Sequence, residues 1–288
     1  MIDNQESHTA KFVTYLRAYY SQNIKEPIFN DHLAYEFLTP KEYEMFSHEA
    51  EKMNVDHDFN RLLNMTMTRY RYTEDELHKA IHQGLQQYVI LGAGMDSFGF
   101  RNKEVLNELK VFEVDHPATQ SFKLNRVKEL KWHIPENLIH IPIDFMKTNV
   151  KDGMKQSFDS NAFSFFSWLG VTMYLTKEAV FETLQSISNL APSGSIVIFD
   201  YFDYNDEKYV SKHGPTENTK NMLEYLEKIG EPVKMGFNLS TITEDLANVG
   251  FILKENQNFY DLHVKYIKNE LIDKQTLQNY YIALAVVK

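Results

Sequence analysis

The sequence predicts an α/β protein: a doubly wound, mostly parallel sheet of seven strands carrying a helical cap at its N-terminal end. Three observations predict it. Short apolar runs alternate with helical periodicity from Leu85 onward. The first run, Tyr88-Val89-Ile90-Leu91, enters a glycine pair in Gly92-Ala93-Gly94. An acid, Asp115, then closes the next run about twenty residues later, the spacing at which α/β proteins hold an adenosine-containing cofactor.

Residues 1–84 read as helical, with Phe12, Val13, Leu16 and Tyr19-Tyr20 spaced at helical intervals and Pro27 and Pro40 breaking later segments. Strands are expected at 88–91, 111–114, 139–143, 162–168, 195–201, 251–254 and 281–287. Pro117 suits a first helical turn, and the crossover helix it opens carries Ala118, Phe122, Leu124 and Val127. Thr176 caps a helix with Val180, Leu184, Ile187 and Leu190 on one face, ending before Pro192-Ser193-Gly194. Polar residues 203–243, with Gly214-Pro215, a helix near 221–229 and Gly230-Glu231-Pro232, interrupt the alternation. They are expected as an insertion over the substrate side of the sheet. The chain thus parses into a helical cap, 1–84, within the same domain as the cofactor-binding α/β portion, 85–288.

Composition narrows the function. A hydrophobic fraction of 43% in 288 residues supports a substantial core. No stretch approaches the roughly 18 apolar residues of a membrane span, and the N-terminus lacks a secretory layout, so a cytoplasmic protein without a membrane partner is expected. Without cysteine there is no disulfide, thiolate chemistry or cysteine-ligated zinc. The net charge of −10 argues against nucleic acid as a partner. His78 and His82 have metal-gripping spacing but no third ligand in suitable context, so no metal is expected. No Gly-x-Ser-x-Gly elbow exists for hydrolase chemistry.

Gly92 and Gly94 leave backbone bare where a ligand would approach, and a carboxylate at Asp115 can accept both hydroxyls of a ribose. That much fits two cofactor classes. Ser97 stands where a dinucleotide pattern has its third glycine, and Gly99 interrupts the following helix; both weigh against a pyrophosphate, which wants a helix N-terminus.

Segments 89–101 and 112–124, with Trp168-Leu169-Gly170-Val171-Thr172-Met173-Tyr174-Leu175-Thr176, resemble the leucine carboxyl methyltransferase family of class I S-adenosylmethionine-dependent methyltransferases. The resemblance covers roughly residues 60 to 200, in order. It implies a Rossmann-like fold and S-adenosyl-L-methionine as cofactor, with Gly92, Ala93 and Gly94 beside the methionine part. It further implies Asp115 on the ribose, Asp144 and Phe145 at the adenine, and Arg69 on the cofactor carboxylate, with Arg71 as its rival. Phe98, Trp168 and Tyr174 are candidate aromatic faces for the sulfonium. Many relatives carry a glutamate where this chain has Leu169, which removes a polar contact and leaves the fold.

The implied reaction is O-methylation of a small organic acceptor, with a carboxylate as first candidate. No catalytic residue is assigned, because alignment and exclusion of water can supply much of the acceleration. Arg17, Tyr20, Tyr174 and Tyr201 are candidate acceptor-site groups. The alternatives are an NAD(P)-dependent oxidoreductase and a non-catalytic binding protein retaining the cofactor fold.

Overall fold

The computed structural model describes residues 6–53, 59–203, 217–267, 277 and 279–288, with the backbone alone at 217–222. Its sheet is built from β1 (Gln87–Leu91), β2 (Lys110–Asp115), β3 (Leu138–Pro142), β4 (Ser164–Trp168), β5 (Ile196–Phe202), β6 (Phe251–Asn258) and β7 (Tyr280–Val287). The spatial order is β3-β2-β1-β4-β5-β7-β6, and β7 runs antiparallel to both of its neighbours. Leu91 pairs with Val114 and Asp115 with Pro142, so β1, β2 and β3 end together at one edge of the sheet. The glycine loop, Asp115 and Asp144 all emerge at that edge.

The helices are α1 (His8–Asn23), α2 (Pro40–Glu51), α3 (Asn60–His82), α4 (Phe98–Arg101), α5 (Pro117–Glu129), α6 (Val150–Met154), α7 (Lys177–Leu190), α8 (Glu217–Lys228), α9 (Ile242–Asn248) and α10 (Phe259–Tyr266). Because side chains alternate across a strand, β1 serves two cores. Val89 and Leu91 join Val180, Leu184 and Ile187 of α7 on one face. Tyr88 and Ile90 join Tyr72, Leu77 and Ala80 of α3 and Phe259 of α10 on the other. A third cluster, including Phe12, Leu16, Phe46, Leu63 and Met67, holds α1, α2 and the first half of α3 together. α3 therefore belongs to the cap at one end and to the sheet at the other.

Local signals carry over closely. Pro117 opens α5 behind His116, whose ring accepts from the Ala118 N–H, and the Thr176 hydroxyl accepts from the Ala179 N–H to start α7. β6 runs four residues past the expected 254, because Glu255, Asn256 and Gln257 keep pairing with β7 beyond a bulge after Leu253. Their polar side chains hide a strand from an apolar pattern. Of the expected insertion, residues 204–216 lie outside the described residues. No helix among the described residues is long and apolar enough to cross a membrane.

Candidate cofactor and acceptor site

A cavity of about 260 Å³ opens at the edge where β1 and β2 end. Its floor is Gly92, Ala93, Gly94 and Asp115, one end is Ile143, Asp144 and Phe145, and the opposite wall is Arg69, Gly170, Val171 and Tyr174. Ser7, Thr9, Ala10 and Val13 from the start of α1 and Glu231, Pro232 and Lys234 from the segment after α8 complete it.

Gly92 and Gly94 take φ of +66° and +53°, in the left-handed region that favours glycine. A Cβ on Gly92 would stand 2.3 Å from Val171 Cγ2, and one on Gly94 would stand 3.2 Å from Ala10 Cβ. The loop is tied to β2: the N–H groups of Gly92 and Ala93 donate to the Val114 carbonyl at 2.7 and 3.1 Å. The Gly94 N–H donates to one oxygen of Asp115, and the His116 N–H donates to the other at 2.6 Å. Burial pushes the Asp115 carboxyl up to about 6, against the lowering effect of these two N–H groups and of Lys123.

The helix after the loop has four residues, and its first N–H, that of Phe98, donates to Asp96 Oδ1 at 2.7 Å. A carboxylate thus occupies the place where a dinucleotide's pyrophosphate would need free amides. A Cβ on Gly99 would meet Leu138 Cδ atoms at 2.7 Å, so this short turn is pressed against β3.

Arg69 is buried on the cavity wall, its Nη1 donating to Asp200 Oδ2 at 3.1 Å while its Nε has no hydrogen-bond partner. The other Asp200 oxygen accepts from the Gly170 N–H at 2.6 Å, so one carboxylate fixes both the arginine and the loop leaving β4. Arg71, the rival, is exposed, pairing with Asp75 at 2.9 Å and donating to the Ile28 carbonyl. Asp144 accepts from the Met146 N–H at 3.0 Å and lies 3.1 Å from Lys147 Nζ. Partial burial raises its carboxyl, but these partners prevail and hold it below the ordinary range. Phe145 lies beside it and packs on Trp168 with ring centres 5.9 Å apart.

Several sequence candidates lie elsewhere. Trp168 is fully buried behind Phe145 and does not reach the cavity, because residues alternate on β4 and its ring falls on the core side. Phe98 packs edge-on to Tyr88 in the opposite core. Tyr20 sits in the helical cluster, and the Tyr201 hydroxyl donates to Asn256 at 2.9 Å; neither lines the cavity. Arg17 reaches the cavity wall, but its guanidinium is engaged by Asp31 at 2.6 Å, the Met95 carbonyl at 2.8 Å and Thr14 at 3.1 Å. Tyr174 does face the cavity; burial, with Glu231 adding to it, raises its phenol above the ordinary value and keeps it a proton donor. His82 Nδ1 lies 2.7 Å from the His78 carbonyl, and no metal-binding group of three or more side chains exists among the described residues.

The sequence profile of the leucine carboxyl methyltransferase family matches residues 10–188. The chain belongs to that family. It is 32% identical, over the full length of both chains, to YktD of Bacillus subtilis strain 168, which is named as an S-adenosyl-L-methionine-dependent methyltransferase. A Mycobacterium avium strain 104 protein named in the same way is 26% identical over 200 residues, covering 67% of this chain and 65% of that one. Among solved structures, a DUF574 family protein from Streptomyces avermitilis superposes with a TM-score of 0.67 at 14% identity, covering all of both chains. A Thermobifida fusca protein described as a methyltransferase gives 0.63 at 10% identity, covering 100% of this chain and 97% of that one. These two likenesses carry the fold, a class I methyltransferase sheet. The protein is an S-adenosyl-L-methionine-dependent methyltransferase.

Two residues of this leucine carboxyl methyltransferase family member escaped sequence reasoning. Asp200 is a lone acid within the apolar run Ile196-Val197-Ile198-Phe199, and a buried carboxylate in a central strand is itself a signal, since such a charge needs a partner. Glu231 lies in the irregular segment after α8, where no periodicity marks it. Its two oxygens accept from the His8 and Thr9 N–H groups at 2.9 and 3.3 Å, joining that segment to the start of α1 across the cavity.

Proposed function

We propose that this methyltransferase transfers a methyl group to an oxygen of a small organic acceptor, with a carboxylate as first candidate. The observation that carries the proposal is the roof: α1 and residues 231–234 meet through Glu231 over a cavity of about 260 Å³. A protein chain end would need an open groove instead. Ligand clefts commonly span roughly 300–1,000 Å³, so this one leaves little room beyond the cofactor unless the roof moves.

The residues present suit the cofactor. The bare glycine loop is a cradle that side chains would fill, Asp115 offers a buried acceptor for ribose hydroxyls, and Asp144 with Phe145 faces the adenine end. Arg69, with an unpartnered Nε, is the group for the amino-acid carboxylate. Bound there, S-adenosyl-L-methionine supplies an activated methyl group for in-line transfer. The chain's part is to align the acceptor and exclude water, with Tyr174 donating a hydrogen bond at the acceptor side. A carboxylate acceptor arrives ionised and needs no base. Arg69 is given to the cofactor, Arg17 is paired with Asp31 and Lys147 with Asp144, so Lys234 on the cavity wall is the cation to meet such a charge.

The test is incubation with methyl-labelled cofactor and a panel of small carboxylic acids, phenols and alcohols. A labelled small product that releases methanol in mild alkali is the expected methyl ester; an alkali-stable product would replace the carboxylate with a phenol or alcohol. Label appearing only in nitrogen-linked or protein-bound methyl groups would overturn the reading.

A further inference from the structure

The glycine loop is held from two sides. From β2, the Val114 carbonyl and the Asp115 carboxylate hold the N–H groups of Gly92, Ala93 and Gly94. From the opposite side, two buried cations hold the carbonyls that follow: Arg17 Nη2 donates to Met95 O at 2.8 Å, and Lys123 Nζ donates to Asp96 O at 2.5 Å. Both cations are about 1% exposed, so each lost bond would leave a polar group stranded away from water.

Arg17 is the unusual member because it comes from α1, which also walls the cavity through Thr9, Ala10 and Val13. Its other arm pairs with Asp31 at 2.6 Å, and Asp31 in turn accepts from the Ser97 hydroxyl at 2.6 Å. Ser97 accepts from Arg101 Nε at 2.8 Å, and Arg101 reaches Glu74 of α3 at 2.5 Å. One buried chain of hydrogen bonds therefore runs from α1 through both ends of the loop's second half to α3. Its acids and bases alternate, so each charge has an opposite neighbour.

We propose that Arg17 is a positioning residue for methyl transfer: it couples docking of α1 to the shape of the glycine loop, so that the loop is set for the cofactor only when the cap is seated. The inference rests on the reading of this loop as the cofactor cradle. A guanidinium suits the task because two nitrogens fixed in one plane, Nη1 and Nη2, reach Asp31 and Met95 separately, a geometry that the single nitrogen of a lysine does not reproduce. The coupling runs both ways by linkage, so cofactor binding should in turn seat α1.

The test is S-adenosylhomocysteine affinity by calorimetry alongside amide exchange at residues 92–97 and in α1. Arg17→Met alone would leave the buried Asp31 with only the more distant Arg101, at 3.6 Å, as a cation, so the decisive variant is Arg17→Met with Asp31→Asn, which removes both charges together. Tenfold or greater loss of affinity with faster exchange at Met95 and Asp96 is expected, with Arg17→Lys recovering thermal stability more than affinity. Wild-type affinity in the double variant overturns the proposal. If that variant does not fold, Ser97→Ala, which removes the hydroxyl that ties both Asp31 and Arg101 to the loop and spares every charge, decides in the same way: weaker binding supports the coupling, unchanged binding and exchange overturn it. Failure of the wild-type protein to bind would instead strike the reading of the cradle itself.

Discussion

Asp115 shows how much one side chain can carry at the end of a strand. Its oxygens hold the Gly94 and His116 N–H groups, and burial lifts its carboxyl to about 6 from an ordinary 3.8. In the empty protein a raised carboxyl contributes stability while protonated, fully below 3.8 and lost as pH rises through about 6. In the proposed ribose role the ionised form is the better acceptor of two hydroxyls, so binding should release a proton. S-adenosylhomocysteine affinity is expected to fall as pH drops from about 7 to about 5; calorimetry in buffers of different ionisation enthalpy reads this directly, and a flat profile contradicts it. Asp115→Ala should remove charge-assisted bonds of about 1.5–3 kcal/mol each, a loss measurable by the same titration. Asp200→Ala leaves the buried Arg69 unpaired and should cost about 3–5 kcal/mol in urea unfolding. Asp115 was legible in the sequence because a motif surrounds it. Asp200 was not, because its significance lies in a contact made across 131 positions of chain.

Among the elements, the glycine loop was legible, and Ser97 with Gly99 pointed to a short, interrupted helix; α4 is short, but Gly99 lies inside it, and the capture of its first N–H by Asp96 was not foreseen. The roof was not. α1 was recognisable as a helix from Phe12, Leu16 and Tyr20, but where it docks depends on Glu231 and on an aromatic cluster assembled from separate segments. The same roof is pinned a second time where His8 Nε2 lies 3.2 Å from Glu49 and 2.9 Å from the Tyr225 hydroxyl. Glu231→Ala removes the acceptor for two N–H groups in the first turn of α1, worth about 1 kcal/mol by analogy with helix caps. Its expected effect is several-fold faster release of S-adenosylhomocysteine in a competition stopped-flow experiment, with Glu231→Gln closer to wild type. Equal release rates would mean that the cofactor leaves by a route that does not part α1 from residues 231–234.

Across the whole molecule, a mostly parallel sheet brings the glycine loop, Asp115 and Asp144 to the carboxyl ends of its strands, and that is why these could be read in advance, whereas Arg17 and Arg69 come from helices of the cap. The alternation of runs and the preference for right-handed crossovers restrict the strand order without fixing it, and the antiparallel β7 between β5 and β6 was not legible in the runs. What periodicity cannot carry is which side of a strand end faces the cavity: Trp168 points to the core and Gly170, two residues on, to the ligand side. Arg17 likewise kept its place at the site but not its expected freedom, because a buried guanidinium takes the nearest carboxylate. The most direct measurement is a crystal structure of the S-adenosylhomocysteine complex. The expected result is ribose hydroxyls on Asp115, adenine against Phe145 and Asp144, and the amino-acid carboxylate on Arg69, with the sulfur facing Tyr174. A ligand bound with its ribose hydroxyls away from Asp115 and its carboxylate away from Arg69 would contradict it.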